Sequence, residues 1–247
     1  MMVGRVVDKC RSTWSSESMT LAAVVAPLAA YAVFFQTLIY LSLPSRLRTR
    51  IAPVLNGAVG ASVAVGGGII FGFASLGLVG GDLGTALAWG AATVMAMSLA
   101  GTVLMRWPDS RRRLADPRLV DLGRAEAFGH IFFRIPVFTA LIEEAFFRGV
   151  LHAALIAVYP VDVAVWIGAG LFGLWHIGPG LDQAKAGDKA GAAGAAHTAA
   201  TVVATSVAGA FLVWLRIETG SIWAPVAVHA SINMTMAVFA RMAARRD

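Results

Sequence analysis

Charge is what this sequence has least of. Only 14% of its 247 residues are Asp, Glu, Lys or Arg, against about 25% in an ordinary soluble domain, while 58% are hydrophobic. That balance excludes an ordinary water-soluble enzyme, because so large an apolar surplus has to meet lipid. Cysteine is nearly absent too: the single Cys10 can make neither an internal disulfide nor a cysteine-based zinc site. Lysine is reduced to Lys9, Lys185 and Lys189, so arginine carries the net charge of +6. The arginines fall in short segments between long uncharged runs, which orients membrane helices and does not build a face for nucleic acid. Nor is there a nucleotide motif, since Gly66-Gly67-Gly68 lacks the strand and turn that a phosphate loop needs. Nucleic acid is therefore not an expected partner, and the lipid bilayer is. Heavy Ala, Gly and Val usage, with arginine in place of lysine, suits a bacterial chain in the plasma (inner) membrane.

What is present is a series of uncharged runs. Residues 21–43 can cross a hydrocarbon core of about 30 Å, and the run exceeds the apolar stretch of a cleaved leader. Residues 51–79 and 83–105 follow, and in and just after the former Gly68 with Gly72, then Gly77 with Gly81, are pairs at four-residue spacing that predict a close-packing seam. Residues 106–124 read as a polar loop. A fourth span is expected from about Ile131 to Tyr159, with Pro136 marking a kink or an interfacial start, then further spans over 161–177, 198–215 and 222–240. Residues 179–196, rich in Gly, Ala, Lys and Asp, predict a flexible or weakly helical loop. The fold class is thus all-α, a polytopic membrane bundle of about seven or eight helices. It divides into N-terminal helices with a basic loop, 1–124, and a C-terminal bundle, 125–247, within one membrane unit. Basic residues test this count, and Arg46, Arg48 and Arg50, the 106–124 segment, Lys185 with Lys189, and the last arginines all fall on one side. Arg5, Lys9 and Arg11 fit less well unless one more helix is added.

Six polar residues interrupt the apolar spans: Glu143, Glu144, Arg148, His176, His229 and Asn233. A charge at mid-bilayer costs about 2.5 to 3.5 kcal/mol on insertion scales, so such groups need partners inside the bundle. Glu144 and Arg148, four apart on a helix, share a face and can pair. Glu143 lies about 100° around and has no local cation, which is the profile of a general base. His229 and Asn233 are also four apart, and together they offer donors for a developing oxyanion. Arg134 is expected to snorkel to the interface, and no role is assigned to His130, His152 or His197.

In order, Glu143-Glu144-x-x-x-Arg148, Phe172-x-x-x-His176 and His229-x-x-x-Asn233 resemble the three motifs of the CPBP (ABI) family of intramembrane endopeptidases, which joins type II CaaX prenyl proteases with bacteriocin-processing proteins. Phe147-Arg148-Gly149 and the run 219–225 agree with it, over roughly 131–238. The resemblance implies a peptidase in which Glu143, helped by His176, activates water, while His229 and Asn233 stabilise the oxyanion and Glu144, Arg148 and Phe172 support the site. It implies no cofactor; the alternative is a zinc enzyme with Glu143, His176 and His229 as ligands. No HExxH pair is present, which favours the metal-free version. The expected partner is a peptide or membrane-protein substrate. Two other functions fit membrane acids: a non-catalytic relative that binds or escorts another membrane protein, and a proton or transport path. Intact motifs weigh against the first, and the lack of an inverted repeat weighs against the second.

Overall fold

The computed structural model describes residues 18–187 and 189–245, all helix and connecting loop with no strand among them. Helix α1 covers 18–42 and passes through a wide, π-helical turn at Tyr31–Phe35. Then come α2 (Ser45–Phe71), α3 (Leu83–Leu104) and a short α4 (Pro108–Leu114). The central helix, α5, runs over 124–158 without a break, alternating regular turns with π-helical stretches at His130–Leu141 and Ala145–Leu151. It is followed by α6 (Val161–Trp175), α7 (Ile177–Ala186), α8 (Gly191–Thr219) and α9 (Trp223–Ala244). Among the described residues five stretches are long and apolar enough to cross a membrane, namely Val54–Phe71, Leu83–Leu104, Val161–Ala186, Gly191–Thr219 and Trp223–Ala244. The shorter apolar helix Val24–Ile39 and α5, which carries the buried acids, complete the bundle. Outer faces are apolar, with Ile69, Leu99, Trp166 and Val207 all exposed, as expected where lipid is the solvent.

Three sequence expectations need correction. The run 51–79 is not one span, because α2 ends at Phe71, where Gly72 takes φ +83 and turns the chain into a loop over 72–82. The glycines at 72, 77 and 81 accordingly serve this loop and not a helix seam. The seam exists nearby, on α2: a Cβ on Gly57, Gly60 or Gly67 would strike Phe138, Ile142 or Val150 of α5. Second, Pro136 does not begin a helix, since α5 starts at Arg124 and Pro136 lies inside it. The π-helical stretch around it shifts the hydrogen-bond register, which accommodates a residue with no N–H to give. Third, residues 179–196 are mostly helix, comprising α7 and the first turns of α8, and α7 is held by packing on α1 and α8 that composition does not reveal.

The two ends of the bundle are stitched differently. At one end Arg216 of α8 donates to the Ser75 carbonyl, and the amide of Ile222 donates to the Gly77 carbonyl, so the 72–82 loop is fastened to the turn before α9. Gly77, at φ +70, leaves room for this: a Cβ there would sit 2.6 Å from the Arg216 guanidinium carbon. At the other end Arg118 bonds both Asp116 and Asp182, while Arg241 donates to the carbonyls of Leu119 and Leu122. The segment between α4 and α5, α7 and the end of α9 therefore share one side, as the distribution of basic residues predicts.

Candidate active site

The site is built where α5, α6, α8 and α9 meet. Its acids lie in the single regular turn Ile142–Glu144, set between the two π-helical stretches of α5. Wide turns of this kind recur at functional sites, because they aim side chains that a regular helix would turn away. Glu144 is fully buried and Arg148 is 1% exposed. The Arg148 guanidinium donates from Nη1 to Glu144 Oε1 at 3.1 Å and from Nη2 to the Gly209 carbonyl at 3.2 Å, and it lies 4.2 Å above the Phe172 ring. One side chain thus joins α5 to α8 and α6.

Glu144 has a second partner: Nδ1 of His229, on α9, lies 2.7 Å from the same Oε1. Because a carboxylate only accepts, Nδ1 carries the proton and Nε2 is the free ring nitrogen of the neutral imidazole. That nitrogen faces Glu143, at 3.9 Å from Oε2. The other oxygen of Glu143, Oε1, accepts from the indole N–H of Trp175 at 3.2 Å, whereas Oε2 is buried and has no hydrogen-bond partner. His176 stands at the break between α6 and α7, where the chain leaves helical geometry at φ −89, ψ 5. Its Nδ1 donates to the Phe172 carbonyl at 2.7 Å, which again leaves Nε2 free, and it lies within electrostatic range of Glu143 and His229. Phe172 packs edge-on against both imidazoles.

Five of the polar residues singled out from sequence therefore converge with Phe172: Glu143, Glu144, Arg148, His176 and His229. Asn233 is half-buried one turn beyond His229 on α9, and no hydrogen bond joins it to the others among the described residues. His152 is buried inside α5. Two contributors escaped sequence reading. The Gly209 carbonyl could not be found, since any residue has one. Trp175 had a faint signal only, an indole placed directly before a motif histidine.

Among the described residues no three His, Cys, Asp or Glu side chains are grouped to hold a metal ion. Both imidazole Nδ1 atoms are committed to protein acceptors and Glu143 Oε1 is taken by Trp175, which leaves Nε2 of His176, Nε2 of His229 and Oε2 of Glu143 as the unengaged atoms of the three residues.

Against known proteins, residues 126–235 match the family described as type II CAAX prenyl endopeptidase Rce1-like. The matched stretch takes in α5 through most of α9 and every residue of the site. No curated protein and no solved structure matches the chain.

Proposed function

We propose that this chain, which matches the type II CAAX prenyl endopeptidase Rce1-like family over residues 126–235, is a membrane-embedded peptidase of that kind in which Glu143 is the base that activates water for peptide-bond hydrolysis. The observation that carries this reading is the division of labour within one carboxylate. Oε1 is engaged by Trp175, and Oε2 is desolvated, unpartnered and turned toward an imidazole. A carboxylate oxygen so placed can take a proton from water, and the hydroxide equivalent adds to the scissile carbonyl carbon.

The tetrahedral oxyanion then needs donors. His229 supplies one from Nε2 when it carries a proton there, and the Glu144 carboxylate on its Nδ1 orients the ring, as a buried acid does in the Ser-His-Asp arrangement. The Asn233 carboxamide supplies a second donor one turn away. Collapse of the intermediate breaks the C–N bond, and the proton taken by Glu143 passes to the departing amine. His176, with its Nε2 free, assists in activating the water. Arg148 holds the charge of Glu144 in place and takes no part in proton transfer.

The substrate is a peptide or membrane protein, and we place the enzyme in a bacterial plasma membrane. Comparing new protein termini in membranes of cells carrying the wild type with those carrying Glu143→Gln tests the reading and finds the substrate together. The expected result is termini that vanish in the variant while its membrane level is unchanged; wild-type processing by Glu143→Gln would remove Glu143 as the base. Chelation of zinc is expected to leave turnover unchanged, and activity lost to a chelator and restored by zinc would favour the metal reading.

A further inference from the structure

We propose that Trp175 is a positioning residue, one that selects which oxygen of Glu143 receives the proton. The inference rests on the reading of Glu143 as base and goes beyond it. A glutamate carboxylate rotates in a broad, roughly two-fold well, so nothing in its own covalent structure decides which oxygen faces the reacting water. An indole N–H can only donate, and when buried it needs an acceptor. Trp175 is 4% exposed and spends that N–H on Glu143 Oε1. With Oε1 held, the carboxylate plane is fixed and Oε2 is the atom left toward His229.

The indole can hold this direction because it is itself clamped. Phe146 and Phe147 of α5 lie 6.3 and 5.6 Å from its ring, and Tyr31 and Phe35 of α1 lie 5.6 and 6.5 Å away. Two of these four rings come from outside the family-matched residues 126–235, so α1 backs the indole that aims the base. Had Trp175 been only a packing residue, any aromatic ring of similar size would serve at this position.

The test uses the full-length enzyme in detergent or vesicles, with a quenched-fluorescent peptide built on the cleavage site that the terminus comparison finds. Trp175→Phe keeps a ring in the cluster and removes the donor; replacing the indole by the isosteric benzothiophene keeps the shape as well. Hydrogen bonds to charged groups are worth about 1.5 to 3 kcal/mol, so kcat is expected to fall about ten- to hundredfold in both, with KM within about twofold of wild type. In the benzothiophene variant the thermal midpoint is expected to stay at the wild-type value. An unchanged kcat in that variant would overturn the proposal, whatever Trp175→Phe does to folding. A fall in kcat matched by a rise in KM and a lowered midpoint would overturn it too, in favour of packing alone. Glu143→Gln measured alongside separates the two claims: its inactivity beside a fully active benzothiophene variant would remove Trp175 and leave Glu143 standing.

Discussion

At the scale of single residues, the pair easiest to read as structural also touches a motif histidine. Glu144 and Arg148 neutralise each other inside α5, yet Glu144 Oε1 is also the atom that fixes the tautomer of His229. Removing one member of a buried ion pair leaves the other without compensation, at a cost of about 3 to 5 kcal/mol. Arg148→Met is therefore expected to lower both the thermal midpoint and turnover. The double variant Arg148→Met with Glu144→Gln removes both charges, and it should recover much of the midpoint. It should not recover turnover, because the neutral amide no longer gives His229 the charged acceptor that orients its ring; losing that charge-assisted bond is expected to cost about tenfold or more. Parallel unfolding and activity measurements on the two variants check this, and a double variant restored in both respects would reduce Glu144 to a purely structural group. The sequence spacing made the ion pair legible, since positions four apart share a helical face. The contact with His229 joins residues 85 positions apart, and no local pattern encodes it.

At the scale of helices, the site depends on how closely α6 and α8 approach. Gly173 lies at that contact: a Cβ there would come within 2.0 Å of Ser206 Oγ and 2.7 Å of the Val202 carbonyl oxygen. A hydroxyl can rotate away, but a helix carbonyl cannot, so even Gly173→Ala should force the helices apart. Overpacking of this kind costs typically about 1 to 3 kcal/mol, and because Trp175 and His176 follow directly, turnover should fall with stability. Gly170, on the same helix, has nothing within 4 Å of its Cβ position. Gly170→Ala is expected to be neutral or stabilising by up to about 1 kcal/mol. Thermal midpoints of the two variants test the contrast, and equal effects would mean that the α6–α8 approach is not the constraint. The same contrast shows what the sequence conceals. Helical spans and motif residues were legible because apolar runs and isolated charges are local facts. The seam on α2, the helix over Ile177–Ala186 and the π-helical stretches of α5 were not, because each is decided by a neighbour: Phe138 and Ile142 against α2, α1 and α8 against α7. Ala and Gly in 179–196 permit helix without demanding it, and tertiary packing makes the choice.

For the whole molecule, the stitching at the arginine-rich side holds together the elements that carry the site. Asp116 is the centre of that stitching. Its Oδ1 accepts from the backbone N–H and Nε of Arg118, its Oδ2 accepts from Nη2, and the same guanidinium reaches Asp182 of α7. Its own amide donates to the Ala240 carbonyl of α9. Burial pushes the Asp116 carboxyl up, but the hydrogen bonds and charge of Arg118 outweigh it and hold the group below the usual aspartate range. A carboxyl with a folded pKa below its unfolded one stabilises the fold wherever it is ionised in both states, and the contribution fades as pH drops from the unfolded value, about 3.9, through the folded one. Partial exposure of both side chains screens the pair and keeps the effect modest. Asp116→Asn is accordingly expected to melt below wild type at pH 7 by a difference that begins to shrink near pH 4 and is lost at still lower pH, where the wild-type carboxyl is protonated as well. Thermal midpoints of the two proteins across that range decide it. A gap that stays constant into acid would mean that Asp116 acts through its geometry alone, and that charge does not fasten α7, or α9 with its His229 and Asn233, to the loop ahead of the central helix.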